Sequence, residues 1–341
     1  MIFLVVALLL VSPALLEASP QTYWEQLHRE PPLRGHPRNV TRQAEVKWIT
    51  QYVDNFDPQN PSTWSMRYIQ NGEHYQPGGP LFIFLGGEWE ISPGYVMYGH
   101  FYDMAKELGA HLFYTEHRYY GQSRPTASTR SDLLKFLNID QALADLAHFV
   151  EEMRRAIPGA ENSKVIMAGG SYSATMVAWF RQKYPHLVDG GWASSAPLLA
   201  KLDFVVRPWL YQTCAEYGWY QTSGSENQIF GSGFPVDLYV RMCYDLYDYI
   251  FYPARLDANI KRTNTIYGHM NPEVTNVFFT QGQLDPWRPM GLQEDLNDQS
   301  PTVVIPMASH VADMGSISDR DSPEMLAAKE RVFELIKQWI S

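Results

Sequence analysis

Cysteine is almost missing from this chain: two residues in 341, Cys214 and Cys243. With no CxxC pair, the sequence excludes both a disulfide-dense small scaffold and a cysteine-ligated zinc site. The ten histidines are scattered without ligand spacing, so no metal centre is expected. Positive charge is short as well. Lys and Arg number 27 against 37 Asp and Glu, for a net charge of -10. Such a surface argues against nucleic acid as the main partner, because phosphate binding needs a basic face. No Walker lysine follows any glycine cluster, which removes phosphate cradling of that type. Beyond residue 16 no apolar run approaches the length of a membrane span. Repeats and low-complexity blocks are missing too, and no cofactor is implied.

What is present is a large apolar inventory, 45% hydrophobic and 14% aromatic, enough for one globular core of a single domain over 19–341. Met1 to Leu16 is nearly all apolar, and Glu17-Ala18-Ser19 offers small residues for cleavage. A secretory signal over 1–18 is expected, with an uncleaved anchor the alternative because the usual basic start is lacking. Asn39-Val40-Thr41 is a glycosylation sequon. An oxidising compartment would let Cys214 and Cys243 pair; two buried free thiols are the other reading.

From Leu81 onward apolar strand-like runs alternate with helical stretches, the rhythm of a mostly parallel sheet covered by helices. Strands are expected at Leu81–Leu85, His111–Thr115, Lys164–Ala168, Gly190–Ser195, Asn276–Thr280 and Thr302–Ile305. Helices are expected at Tyr102–Leu108, Ile139–Ala156, Ala174–Tyr184 and Pro323–Ile340. Residues 199–262 break the rhythm and read as an irregular excursion rich in Tyr, Trp and Gly.

One junction carries chemistry. The run Val165 to Ala168 breaks into Gly169-Gly170-Ser171-Tyr172-Ser173 and resumes as a helix. A strand that turns sharply into a helix at a serine lifts its hydroxyl above the sheet, as in a nucleophile elbow. Ser173 stands where the G-x-S-x-G pattern has its last glycine. A serine needs a histidine to take its proton and an acid to hold that histidine. In α/β-hydrolases these follow in the order Ser, Asp or Glu, His at successive strand ends. Asp285 follows the strand Asn276–Thr280, and His310, 25 residues later, follows Thr302–Ile305. Ser171, Asp285 and His310 are therefore the expected triad. Ser123 is a rival nucleophile on paper but follows a polar aromatic loop rather than a strand. Oxyanion donors are expected from the backbone of Tyr172 and from Gly87 or Glu88, at the exit of the Leu81 strand.

The segments Gln51 to Asp57, Thr63-Trp64, Arg67-Tyr68, Pro77 to Pro80, Gly86-Gly87-Glu88 and Glu116 to Gly121 carry a family resemblance. So do Gly169 to Tyr172, Trp209 to Ser223 and Leu284 to Trp287. The chain resembles the serine peptidase family that contains lysosomal Pro-Xaa carboxypeptidase, dipeptidyl peptidase II and thymus-specific serine protease. The resemblance implies an α/β-hydrolase fold, the same three catalytic residues and an exopeptidase acting beside proline, secreted or lysosomal. It makes Trp287 a contributor to an apolar proline slot, which Thr175 would reshape, since relatives carry a larger apolar residue there. Relatives also carry a long helical cap that is mostly missing here, with the join between Phe204 and Arg207 and a residual cap segment at about 200–262. Peptides are the implied partners, and a homodimer is left open. Two other functions stand beside this one: a catalytically silent, cap-deleted binding protein, and an esterase on the same fold.

Overall fold

The structure, a computed structural model, describes residues 30–33, 44–200, 207–220, 222–224 and 233–341. The expected signal segment, the Asn39 sequon and residues 201–206 lie outside these.

Strand β1 (Glu45–Tyr52) and β2 (Thr63–Asn71) form an antiparallel ribbon at one edge of an eight-stranded sheet. The rest of the sheet comprises β3 (Leu81–Leu85), β4 (His111–Thr115), β5 (Val165–Gly170), β6 (Gly190–Ser194), β7 (Val277–Gly282) and β8 (Thr302–Ile305). The spatial order is β1-β2-β4-β3-β5-β6-β7-β8, parallel from β4 onward. β3, β4 and β5 are buried at every residue, as expected of parallel strands covered on both faces.

Alternation sorts their side chains into two cores. Leu81, Ile83, Leu85, Val165 and Met167 face helix α2 (Ile139–Ala156) and α3 (Tyr172–Lys183). Phe82, Phe84, Ile166 and Ala168 face α1 (His100–Glu107) and α7 (Pro323–Ile340). The two long helices start at side-chain caps, Asn138 accepting from the Gln141 N–H and Ser322 from that of Met325. This is the expected α/β-hydrolase architecture.

Two regions differ from the sequence reading. The β1–β2 ribbon was not anticipated. β1 is exposed at most positions, so its hydrophobic alternation is faint. The described residues of 207–267 are largely helical rather than irregular: α4 (Arg207–Gln212), α5 (Val236–Leu246) and α6 (Pro253–Tyr267). Between α4 and α5 the chain widens to i→i+5 bonding over Thr213–Tyr217, closed by the Gly218 N–H on the Thr213 carbonyl (2.8 Å). Cys214 on this turn is disulfide-bonded to Cys243 on α5, with Cα atoms 5.9 Å apart. The free-thiol reading is thereby set aside. No helix among the described residues is long and apolar enough to cross a membrane.

Candidate active site

The ends of β5, β6, β7 and β8 lie side by side, so the loops leaving them meet at one edge of the sheet. Ser171 stands between β5 and α3 with φ 59° and ψ −130°. That conformation is sparsely populated by residues with a Cβ and costs about 1–3 kcal/mol. It persists because the surroundings dictate it. The Ser171 N–H donates to the Ser194 carbonyl (2.9 Å). A Cβ on Gly169 would lie 2.5 Å from the Ser173 carbonyl, and one on Gly170 would lie 2.6 Å from Val311 Cγ1. Strand and helix therefore touch where small residues were expected. Ser173, in the last-glycine position, turns its hydroxyl back on Gly170, donating to its carbonyl and accepting from its N–H, both at 2.9 Å.

Asp285 and His310 meet. His310 Nδ1 is 2.7 Å from Asp285 Oδ2, with the Asp285 side chain fully buried and that of His310 29% exposed. The second carboxylate oxygen accepts from the Trp287 N–H (2.8 Å). A carboxylate only accepts, so Nδ1 carries the proton and Nε2 is left free as a base. The acid and histidine loops are tied at the backbone, the Leu284 N–H donating to the Ala308 carbonyl (2.9 Å). Val311, next to His310, packs against Gly170, next to Ser171. Ser171 and His310 thus stand on touching loops. Among the described residues the Ser171 hydroxyl has no hydrogen-bond partner, and it is part-exposed. Catalytic hydrogen bonds commonly tighten only when substrate is bound.

Tyr172 opens α3, where backbone N–H groups have no partner within the helix. Its side chain is buried and its hydroxyl lies 3.1 Å from His117 Nε2 and 3.0 Å from Gln212 Nε2. His117 Nδ1 faces the Arg118 carbonyl (2.8 Å), so Nε2 accepts from Tyr172. Burial holds the His117 pKa down to about 4, keeping the ring neutral. Gly87 lies against the Trp89 ring, 2.6 Å from where its Cβ would stand. The neighbouring Glu88 has one carboxyl oxygen enclosed without a hydrogen-bond partner among the described residues. Burial pushes its pKa up to about 7 despite the nearby His310, and its own backbone N–H faces its carboxyl group. Tyr120 and Tyr172 also lie within electrostatic reach of it.

The expected pocket residues fall in different places. Trp287 is part-buried with its ring 6.5 Å from that of His310. Thr175 is fully buried and donates to the Pro197 carbonyl (3.0 Å), so any influence on a slot passes through that turn. The rival Ser123 is buried and bridges the Arg67 N–H and Glu116, a structural position away from the elbow. Sequence reasoning did not foresee an aromatic wall in which Tyr172 meets Trp209 (5.3 Å), Trp209 meets Trp219 (5.6 Å) and Trp219 meets Trp287 (6.2 Å). Nor did it single out Asp313, Ser194 and Ser195. An acid three residues after His310 was the visible hint for the first.

Sheet order, elbow and converging loops define an α/β-hydrolase-fold serine hydrolase. A profile of the family described as serine carboxypeptidase S28 matches residues 51–207 and 205–332, and the chain belongs to that family. The two matches overlap at residues 205–207. A candidate serine protease of Caenorhabditis elegans is 24% identical over 509 residues, covering 98% of this chain and 93% of that protein. An alignment of 509 positions against a chain of 341 leaves at least 168 positions of the alignment without a residue here. Mouse thymus-specific serine protease is 23% identical over 458 residues (90% of this chain, 89% of that protein). Bovine lysosomal Pro-X carboxypeptidase is 39% identical over 199 residues, covering 57% of this chain and 38% of that protein. Among solved structures, a candidate dipeptidyl aminopeptidase IV of Bacteroides ovatus aligns with a TM-score of 0.50 at 12% identity, over 87% of this chain and 36% of that one. This last likeness concerns the fold alone.

Proposed function

We propose that the protein is an exopeptidase hydrolysing peptide bonds beside proline, with Ser171 as nucleophile, His310 as general base and Asp285 as the acid that orients it. The observation that carries this reading is the 2.7 Å contact of His310 Nδ1 with Asp285, on loops packed against the Ser171 elbow. Ser171 Oγ attacks the scissile carbonyl while Nε2 of His310 takes its proton. The imidazolium, stabilised by Asp285, then returns the proton to the leaving amine, and water repeats the cycle on the acyl-enzyme. The Tyr172 N–H and the Gly87 N–H are the oxyanion donors, with the Glu88 N–H the alternative second donor; the facing of that amide toward its own carboxyl favours Gly87. Trp287, backed by Trp219, offers a flat apolar face of the kind a proline ring packs on. The names of the relatives point to peptides as substrates, and the name of the carboxypeptidase relative to the lysosome as a location.

A fluorophosphonate probe tests the nucleophile. The protein should be labelled, and Ser171→Ala should abolish labelling; labelling that survives this substitution rejects the assignment. Peptides ending in Pro-Xaa, peptides beginning Xaa-Pro and p-nitrophenyl esters, compared at equal enzyme, then separate carboxypeptidase, dipeptidyl peptidase and esterase. Turnover of the ester alone would overturn the peptidase reading.

A further inference from the structure

Three residues beyond His310, Asp313 is buried among hydroxyls. Its Oδ1 accepts from Ser194 Oγ and its Oδ2 from Thr280 Oγ1, both at 2.5 Å. The described residues place no cation within ion-pair distance of it. A buried carboxylate without a cation is costly unless strong hydrogen bonds replace its water, and two short hydroxyl donors do that here. The Thr280 hydroxyl is in turn held by Trp192 Nε1 (3.2 Å).

These contacts converge on one point. Ser194 ends β6, and its carbonyl accepts the N–H of Ser171 while its hydroxyl holds Asp313. The next residue, Ser195, sits at φ 55° and uses its hydroxyl to accept the Val311 N–H (3.0 Å). Val311 itself is a β-branched residue at φ 54°, ψ 27°, a left-handed conformation that such residues rarely adopt. Its side chain is the one pressed on Gly170. The backbone turn carrying His310 is therefore strained, and it is held on both sides of Val311 by neighbours of the nucleophile.

We propose that Asp313 is a positioning residue for the reaction: through Ser194 and Thr280 it clamps the His310 loop in register with the Ser171 elbow, so that Nε2 meets Oγ when substrate is bound. This rests on the triad assignment above. The three expected catalytic residues then need a fourth, buried acid, which never touches substrate and acts on His310 through the backbone. Asp285 fixes how the imidazole is turned; Asp313 fixes where it stands.

Asp313→Asn keeps the size of the side chain and removes its charge and one acceptor. Measured on the full chain beside wild type and Ser171→Ala, it should stay folded by far-UV circular dichroism. Its KM for a Pro-containing peptide should remain within about threefold, while kcat and the fluorophosphonate labelling rate fall about 10- to 100-fold. The low-field proton resonance of His310 Nδ1–H against Asp285 should broaden or shift, which a merely structural role would not cause. Should the asparagine variant fail to fold, Ser194→Ala tests the same clamp from the other side, with a loss of roughly 3- to 10-fold in kcat. Unchanged labelling and an unchanged low-field proton in a folded variant overturn the proposal. So does a loss that merely tracks the unfolded fraction. Labelling that persists in Ser171→Ala rejects the triad instead, so the two failures are told apart.

Discussion

Ser171 keeps a strained backbone because every residue around it is fitted to the turn, and Gly169 shows how tightly. Its missing Cβ would strike the carbonyl of Ser173 and approach the Ala174 nitrogen at 2.8 Å, both backbone atoms that cannot swing away. Gly169→Ala should cost about 2 kcal/mol, the usual penalty of overpacking a filled core. The elbow would shift with it, lowering the fluorophosphonate labelling rate at least tenfold. Gly233→Ala is the control, since a Cβ there meets nothing within 4 Å. Denaturant midpoints and labelling rates of the two variants, measured side by side, decide the point; equal behaviour would mean the elbow has slack. Ser173 meets the same constraint differently. It is small enough for the contact, and its hydroxyl bonds both backbone groups of Gly170, so a serine serves where the pattern has glycine.

At the scale of elements, the segment that opens with α4 supplies Trp209 and Trp219 of the aromatic wall beside the site. The i→i+5 turn Thr213–Tyr217 leads straight into Trp219, and the Cys214–Cys243 disulfide pins that turn to α5. Closing a loop with a sequence separation of 29 is worth about 3–4 kcal/mol by chain entropy. The double variant Cys214→Ser, Cys243→Ser should lose about that much in urea unfolding and raise KM more than it lowers kcat, because the wall loosens while the triad loops do not. A loss below about 1 kcal/mol with KM unchanged would show that packing alone holds the wall. This segment is also where the sequence was hardest to read. β3, β4 and β5 announce themselves as short apolar runs because both of their faces are covered. α2 and α7 do so because their apolar stripes face a sheet. α5 instead leaves Val236, Leu238, Tyr244 and Leu246 exposed, so its pattern signals no core partner. The order Ser, Asp, His was legible because strand ends are local features. The Asp313 clamp was not, because it depends on β6 and β7 lying in register beside the turn that follows β8.

The whole molecule joins a well-filled two-sided core to one thinly covered end. Tyr249, Ile250 and Tyr252 continue the exposed apolar face of α5. The core, by contrast, buries ionisable groups in a way that ties stability to pH. Burial pushes Glu216 up to about 8 and Glu88 up to about 7 from an ordinary value near 4.5, and it raises Glu30, Glu116 and Asp145 as well. Burial also holds His111 and His117 down to about 4 and lowers His100. Below about pH 6.5 the two sets oppose each other. The carboxyls, which keep their protons only in the fold, lose stabilisation as pH rises, while the histidines, which gain protons only on unfolding, restore it. Only above about 7.5 are the histidines neutral in both states, so that the carboxyls alone count. Stability should therefore fall from about pH 6.5 to about pH 8, by about 1 kcal/mol net, since about 2 kcal/mol lost from Glu216 and Glu88 is partly offset by the last unfolded-state imidazole protons leaving. Urea midpoints across this range measure it, and Glu216→Gln, which removes the group ionising last, should flatten much of the slope. A midpoint that holds steady or rises between pH 6.5 and 8 would mean that these carboxyls are already ionised in the folded protein. A falling midpoint would mean that the fold is less stable in mildly alkaline than in neutral solution because these buried carboxyls must ionise.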